Sequence, residues 1–89
     1  MSAGASKPIR FSAHARGYLA RRGFTEAEVV DAIRNAPWRN ARIGRLEAER
    51  VFPYNSLWNG TFYAQKRVRP VFVDNPTEIV VVTVYTYFF

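Results

Sequence analysis

The stretch Ile79-Val80-Val81-Val82-Thr83-Val84-Tyr85-Thr86-Tyr87-Phe88 decides the fold of this chain. All ten residues are β-branched or aromatic, the types that pack well on a pleated surface. The first four residues are apolar without a break, which fits a central strand covered on one side by helices. From Thr83 onward a hydroxyl recurs at period two, at Thr83, Tyr85 and Tyr87, so one strand face turns polar. Upstream, Asp74-Asn75-Pro76-Thr77 supplies a turn. Thr61 to Val68 alternates, with Phe62 and Ala64 on one face and Tyr63 and Gln65 on the other. Arg69-Pro70 interrupts or bends that strand, and Val71-Phe72-Val73 resumes it. Asn55 to Gly60 reads as a turn, since Asn59-Gly60 is a strong hairpin signal. Glu49 to Tyr54 makes an earlier strand, with Pro53 marking an edge or an end. Trp38 to Leu46 is basic and stays ambiguous.

The first third of the chain has helical texture. Pro8-Ile9-Arg10-Phe11 is a short extended lead-in. Ser12 then stands as an N-cap for a helix to about Arg22, with Ala15, Tyr18 and Leu19 on one apolar face and Gly23 as the stop. Thr25 and Glu28 form a capping box for a second helix, with Phe24 and Val29 as its hydrophobic staple. Val29, Val30 and Ile33 give its buried face. Asn35-Ala36-Pro37 ends it, because Pro37 cannot continue a helix and restrains Ala36. The order predicts an α+β domain, two N-terminal helices packed on a twisted antiparallel β-sheet. Residues 1–8 are expected to be a flexible N-terminus and residues 9–89 a single domain.

Thirteen Lys and Arg against seven Asp and Glu give a net charge of +6. That balance favours an acidic partner, of which nucleic acid is the commonest; an acidic protein or simple solubility are the alternatives. The absence of cysteine excludes a disulfide framework and thiolate metal sites. With one histidine and no acidic cluster, no metal site and no cofactor are expected. The first residues carry no apolar run of a secretory signal, and Ile79 to Phe89 is too short to span a bilayer as a helix. The chain reads as cytoplasmic, with no membrane partner.

His14 is the only histidine, and imidazole alone titrates near neutral pH without perturbation. In the first turn after Ser12, the helix dipole would favour its neutral, basic form and attract phosphate. The bland alternative is a histidine that packs its ring and bonds a backbone group. Arg45 belongs to a basic run that also holds Arg39, Arg42 and Arg50, while Lys66, Arg67 and Arg69 form a second group. Arginine binds phosphate through its planar fork. In the strand, Arg67 and Arg69 share one face and Lys66 takes the other. A charged, solvated sheet edge explains the same residues without RNA. Trp38, Tyr54, Trp58 and Tyr63 suit base stacking, though such aromatics are more often core or edge packing.

Phe11-Ser12-Ala13-His14-Ala15, the run Arg22-Gly23-Phe24-Thr25-Glu26-Ala27-Glu28-Val29-Val30-Asp31-Ala32-Ile33, and Ile79 to Tyr85 together resemble a bacterial family of small domains of unknown function. That family is related to the RelE/ParE/BrnT toxin superfamily. The resemblance implies a RelE/ParE-like fold and kinship to metal-independent ribonucleases or gyrase-directed relatives. His14 matches the family's helix histidine, Arg22 its arginine, and Thr83 and Tyr85 its last strand.

The first functional expectation is therefore a toxin-like, metal-independent endoribonuclease. In it His14 acts as base or acid, Arg22 stabilises developing charge and Tyr85 orients the scissile group. Lys66, Arg67, Arg69 and Arg45 bind nucleic acid. Its partners would be RNA, ribosome-associated RNA included, and an acidic antitoxin-like protein. The second expectation is a non-catalytic module binding nucleic acid or an acidic protein through the same face. The third is a homo-oligomeric structural domain using its aromatic edge strands, a homodimer included.

Overall fold

The computed structural model describes residues 7–89. The expected flexible N-terminus falls mostly outside these residues. Within them Lys7 and Pro8 are anchored: the Lys7 ammonium pairs with Asp74 and donates to the Asn75 carbonyl, and the Pro8 carbonyl accepts from the Ile79 amide.

Six strands form one sheet: β1 (Ile9–Phe11), β2 (Arg39–Asn40), β3 (Leu46–Glu47), β4 (Arg50–Trp58), β5 (Thr61–Asp74) and β6 (Ile79–Phe88). Three short helices accompany them: α1 (Ala13–Gly17), α2 (Leu19–Arg22) and α3 (Glu26–Asn35). The path across the sheet is β1-β6-β5-β3-β2, with β4 on the same side of β5 as β3.

This corrects the expectation of two helices on an antiparallel meander. The lead-in Ile9–Phe11 is itself a strand and pairs parallel with Ile79–Val81, so the sheet is mixed and the RelE/ParE-like arrangement does not hold. The first helix is two pieces. Gly17 weakens the helix interior, and Tyr18, at φ −96° and ψ 0°, ends α1 and opens α2. The ambiguous basic stretch holds two minimal strands, β2 and β3, paired as a hairpin. The described residues are thus mostly sheet with three short helices.

Other elements follow local chemistry directly. Thr25 and Glu28 close the capping box of α3 reciprocally, at 3.1 and 2.9 Å. Asn59 and Gly60 both hold positive φ, 51° and 84°, and turn β4 into β5. Pro70 does not interrupt β5. It is fully buried, and across from it the neighbouring strand is broken between β3 and β4, where the Ala48 amide donates to the Pro70 carbonyl. No strand asks for the N–H that proline lacks.

A bulge sets the two faces of β6. Phe72 pairs with Val81 but Val71 pairs with Thr83, so Val82 is an extra residue. Before it, Ile79 and Val81 face inward; after it, Val84 faces inward and Thr83 and Tyr85 face out. The core under the helices gathers Phe24, Val29, Ile33, Val68, Phe72, Ile79, Val81 and Val84, each at most 1% exposed. No helix among the described residues is long and apolar enough to cross a membrane.

Ion pairs fasten the ends of this sheet. Arg10 meets Glu78 through two hydrogen bonds, which hold the Glu78 carboxyl below its ordinary range. Gly23 ends α2 at φ 71°, against the Trp58 indole, which stacks on Phe88 at 4.8 Å. A Cβ on Gly23 would lie 2.7 Å from that indole. Gly23→Ala should destabilise the domain by about 2–4 kcal/mol through backbone strain and overpacking, read from the urea midpoint.

Candidate functional site

The outer face of the sheet, opposite the helices, carries paired polar positions. Cross-strand pairing places Thr83 beside Val71, Tyr85 beside Arg69, and Tyr87 beside Arg67. The Arg69 guanidinium lies over both tyrosine rings, 5.3 Å from Tyr85 and 5.2 Å from Tyr87, and donates to the Tyr87 hydroxyl at 2.6 Å. Arg67 lies over the Phe89 ring at 5.2 Å, with Glu49 3.7 Å from its Nε.

Arg22 reaches this face around the free edge of β6. Its guanidinium donates to the Val84 carbonyl at 2.8 Å and to Thr83 Oγ1 at 3.3 Å. Those bonds occupy one nitrogen, while the plane lies between Tyr18, at 4.1 Å, and Tyr85, at 5.4 Å. His14, exposed on α1, meets Tyr18 edge-on with ring centroids 4.7 Å apart. A run of contacts thus leads from His14 through Tyr18 and Arg22 to Tyr85 and Arg69. Helix α1 has only five residues, too short for the helix-end phosphate site expected at His14.

Beside Tyr85 the β2–β3 hairpin overhangs the face and encloses an open concavity of about 720 Å³. The hairpin supplies Asn40, Arg42, Ile43, Arg45 and Glu47; Val71, Thr83 and Tyr85 form the floor. The turn is closed by the Arg45 amide donating to the Arg42 carbonyl, with positive φ at both Ile43 and Gly44.

The candidate residues therefore separate. Tyr85 and Arg45 line the concavity; Arg22 and Arg69 flank Tyr85; Arg67 lies further along the same face; His14 sits at the margin behind Tyr18. Lys66 does not join them. It faces the helices at 5% exposure, donates to the Gly23 carbonyl at 3.0 Å and pairs with Glu28 at 2.8 Å. Ile43 went unrecognised in the sequence, and Arg42 stood there only as one member of the basic run. The signal was an Ile-Gly step between two arginines, hidden because neither flanking strand is long enough to show alternation.

The charges have a simple disposition. Each of the seven carboxylates is held in an ion pair: Glu26, Glu28, Asp31, Glu47, Glu49, Asp74 and Glu78. Among the described residues, six arginines have no carboxylate partner: Arg21, Arg22, Arg34, Arg42, Arg45 and Arg69. They match the net charge of +6, and four of them, Arg22, Arg42, Arg45 and Arg69, gather around Tyr85. No three His, Asp or Glu side chains converge as a metal site among the described residues.

Lys66→Met should remove the ion pair yet leave Glu28 largely buried. The expected loss is about 2–4 kcal/mol in the urea midpoint, with the outer face unaltered.

A family model described as a domain of unknown function, DUF4258, matches residues 11–86. No curated protein and no solved structure matches the chain significantly. The match links the chain neither to RelE, ParE or BrnT toxins nor to bacteria.

Proposed function

The chain belongs to the DUF4258 family, and we propose that the outer face of its sheet binds single-stranded RNA. The observation that carries this reading is the gathering of Arg22, Arg42, Arg45 and Arg69 around Tyr85, none of them paired with a carboxylate among the described residues. Guanidinium groups suit phosphate oxygens. Tyr85, Tyr87 and Phe89 are each more than 40% exposed, so their rings offer stacking faces for unpaired bases. A concavity walled by a hairpin also suits a flexible strand better than a duplex. An acidic protein partner would compete for the same arginines.

The test is binding of a mixed-sequence, 20-nucleotide single strand across a salt series. Removing two phosphate contacts should flatten the slope of log K against log salt by about 1.4, and the Arg45→Ala, Arg69→Ala double variant should bind about 10- to 100-fold more weakly. An unchanged slope and affinity in the double variant would refute this face as the binding surface.

A second reading, cleavage, draws on the run of contacts from His14 to Tyr85. His14 would take the proton of a 2′-hydroxyl as it attacks the adjacent phosphorus. The bond from phosphorus to the 5′ oxygen would break, giving a 2′,3′-cyclic phosphate and, with a proton, a 5′-hydroxyl. Arg22 would stabilise the charge developing on phosphorus-bound oxygen, and Tyr85 would orient the phosphate. This reading expects new RNA ends in EDTA with the parent protein and none with His14→Ala. RNA retained intact by both proteins leaves binding as the function.

A further inference from the structure

Two turns of the chain hold positive φ at both central residues. At Asn59-Gly60 both central residues hold positive φ, and Asn-Gly is the pair that suits such a turn best. At Ile43-Gly44 the backbone is alike, with φ 59° and 70°, yet a β-branched residue occupies the asparagine position. Isoleucine is strained in the left-handed region, because its branched Cβ crowds the backbone. Nothing inside the domain offsets that strain by burial, since Ile43 is 85% exposed, the most exposed large apolar side chain among the described residues.

The surroundings of Ile43 bear on what it meets. Arg42 and Arg45 close its turn, and both lack carboxylate partners among the described residues. Tyr85 lies across the concavity that all three line. An apolar tip between two unopposed arginines suits a chain of alternating charged and flat apolar groups, which is the chemistry of a single-stranded nucleic acid. Apolar side chains serve elsewhere as wedges between base steps.

We propose that Ile43 is a wedge: it packs against an unstacked base of bound single-stranded RNA while Arg42 and Arg45 hold the phosphates on either side. This rests on the outer face being an RNA-binding surface. The strained turn presents the aliphatic side chain outward, clear of the sheet, where only a ligand can cover it.

Ile43→Asn in the full chain separates the two roles of this residue. Asparagine relaxes the turn to the favoured Asn-Gly pair, so the thermal midpoint should rise by about 4–8 °C, as expected of a small domain gaining modest stability. Affinity for a mixed-sequence 20-nucleotide RNA, read by fluorescence anisotropy, should fall about 5- to 20-fold, the range for losing one base contact. The salt slope should stay unchanged, since no phosphate contact is lost. Unchanged affinity in Ile43→Asn, while Arg45→Ala still weakens binding, would overturn the wedge and keep the RNA-binding face. A lower midpoint would overturn the strain argument on which the wedge stands. Failure of the parent protein to bind RNA would overturn both. Loss on Ile43→Asn with polyglutamate but not with RNA would assign the tip to an acidic protein and refute the proposal.

Discussion

The extra residue at Val82 is the constraint on which the rest depends. Side chains along a strand alternate strictly, so Ile79, Val81, Thr83 and Tyr85 would share one face of an unbroken β6. The shift between the Val71–Thr83 and Phe72–Val81 pairs breaks that sequence of positions. It lets Ile79 and Val81 enter the core while Thr83, Tyr85 and Tyr87 stand on the opposite face with Arg67 and Arg69. Without it, either a tyrosine row would be pressed beneath the helices or the valines would be turned out to water. Ser12 secures the bulge. Its amide donates to the Val81 carbonyl, and its hydroxyl donates to the Val82 carbonyl while accepting from the Ala15 amide. One side chain thus ends β1, caps α1 and satisfies the irregular stretch of β6.

The edge of β6 beyond the bulge explains why Arg22 has two duties. β1 covers only Ile79–Val81. Pro70, opposite Val84, turns its carbonyl the other way to the Ala48 amide, so the two form a pair without mutual hydrogen bonds, and the Val84 carbonyl points away from β5 and needs another donor. Arg22 supplies it, and in doing so brings a guanidinium from the helical layer to the outer face. Its position beside Tyr85 is therefore a consequence of satisfying a strand edge. A substitution at Arg22 would disturb both the edge and the face, which is why Arg45 and Arg69 report more cleanly on binding.

Much of this was legible in residues whose neighbours in sequence determine them. The Thr25–Glu28 capping box, the Asn59-Gly60 turn and the period-two hydroxyls of β6 are local patterns, and each stands where its chemistry requires. The parallel β1 was not legible, because three residues carry no pattern and their partner lies 70 positions away. The break at Gly17-Tyr18 was obscured by an apolar face that continues through it. For Lys66 the alternation was readable, since it faces opposite to Arg67 and Arg69. Which face the helices cover is a tertiary fact, fixed by Gly23 and Glu28 closing over the ammonium. At the candidate site, Arg45 and Arg69 could be suspected from charge alone. The concavity could not, because it exists only where the β2–β3 hairpin overhangs Tyr85.

The pattern of charge gives the outer face its chemical character. Arg16–Glu26 joins α1 to α3, Asp31–Arg50 joins α3 to β4, and Glu28–Lys66 joins α3 to β5. The first two are exposed and add little stability each, the third is largely buried, and together with the remaining pairs they consume every carboxylate. The arginines left over are not scattered: four of the six gather around one tyrosine, where their mutual repulsion opposes folding. Aromatic faces relieve part of that repulsion at Arg22 and Arg69, and water relieves more at Arg42. Under the proposed reading, a bound polyanion relieves the remainder. A surface arranged in this way gains more from a polyanion than isolated arginines would, since the repulsion already accepted in the folded state is removed on binding. Glu47, the one carboxylate lining the concavity, stands across the β2–β3 ladder from Arg39 and is held by it at 2.7 Å, so its charge is spent on a residue outside the cluster.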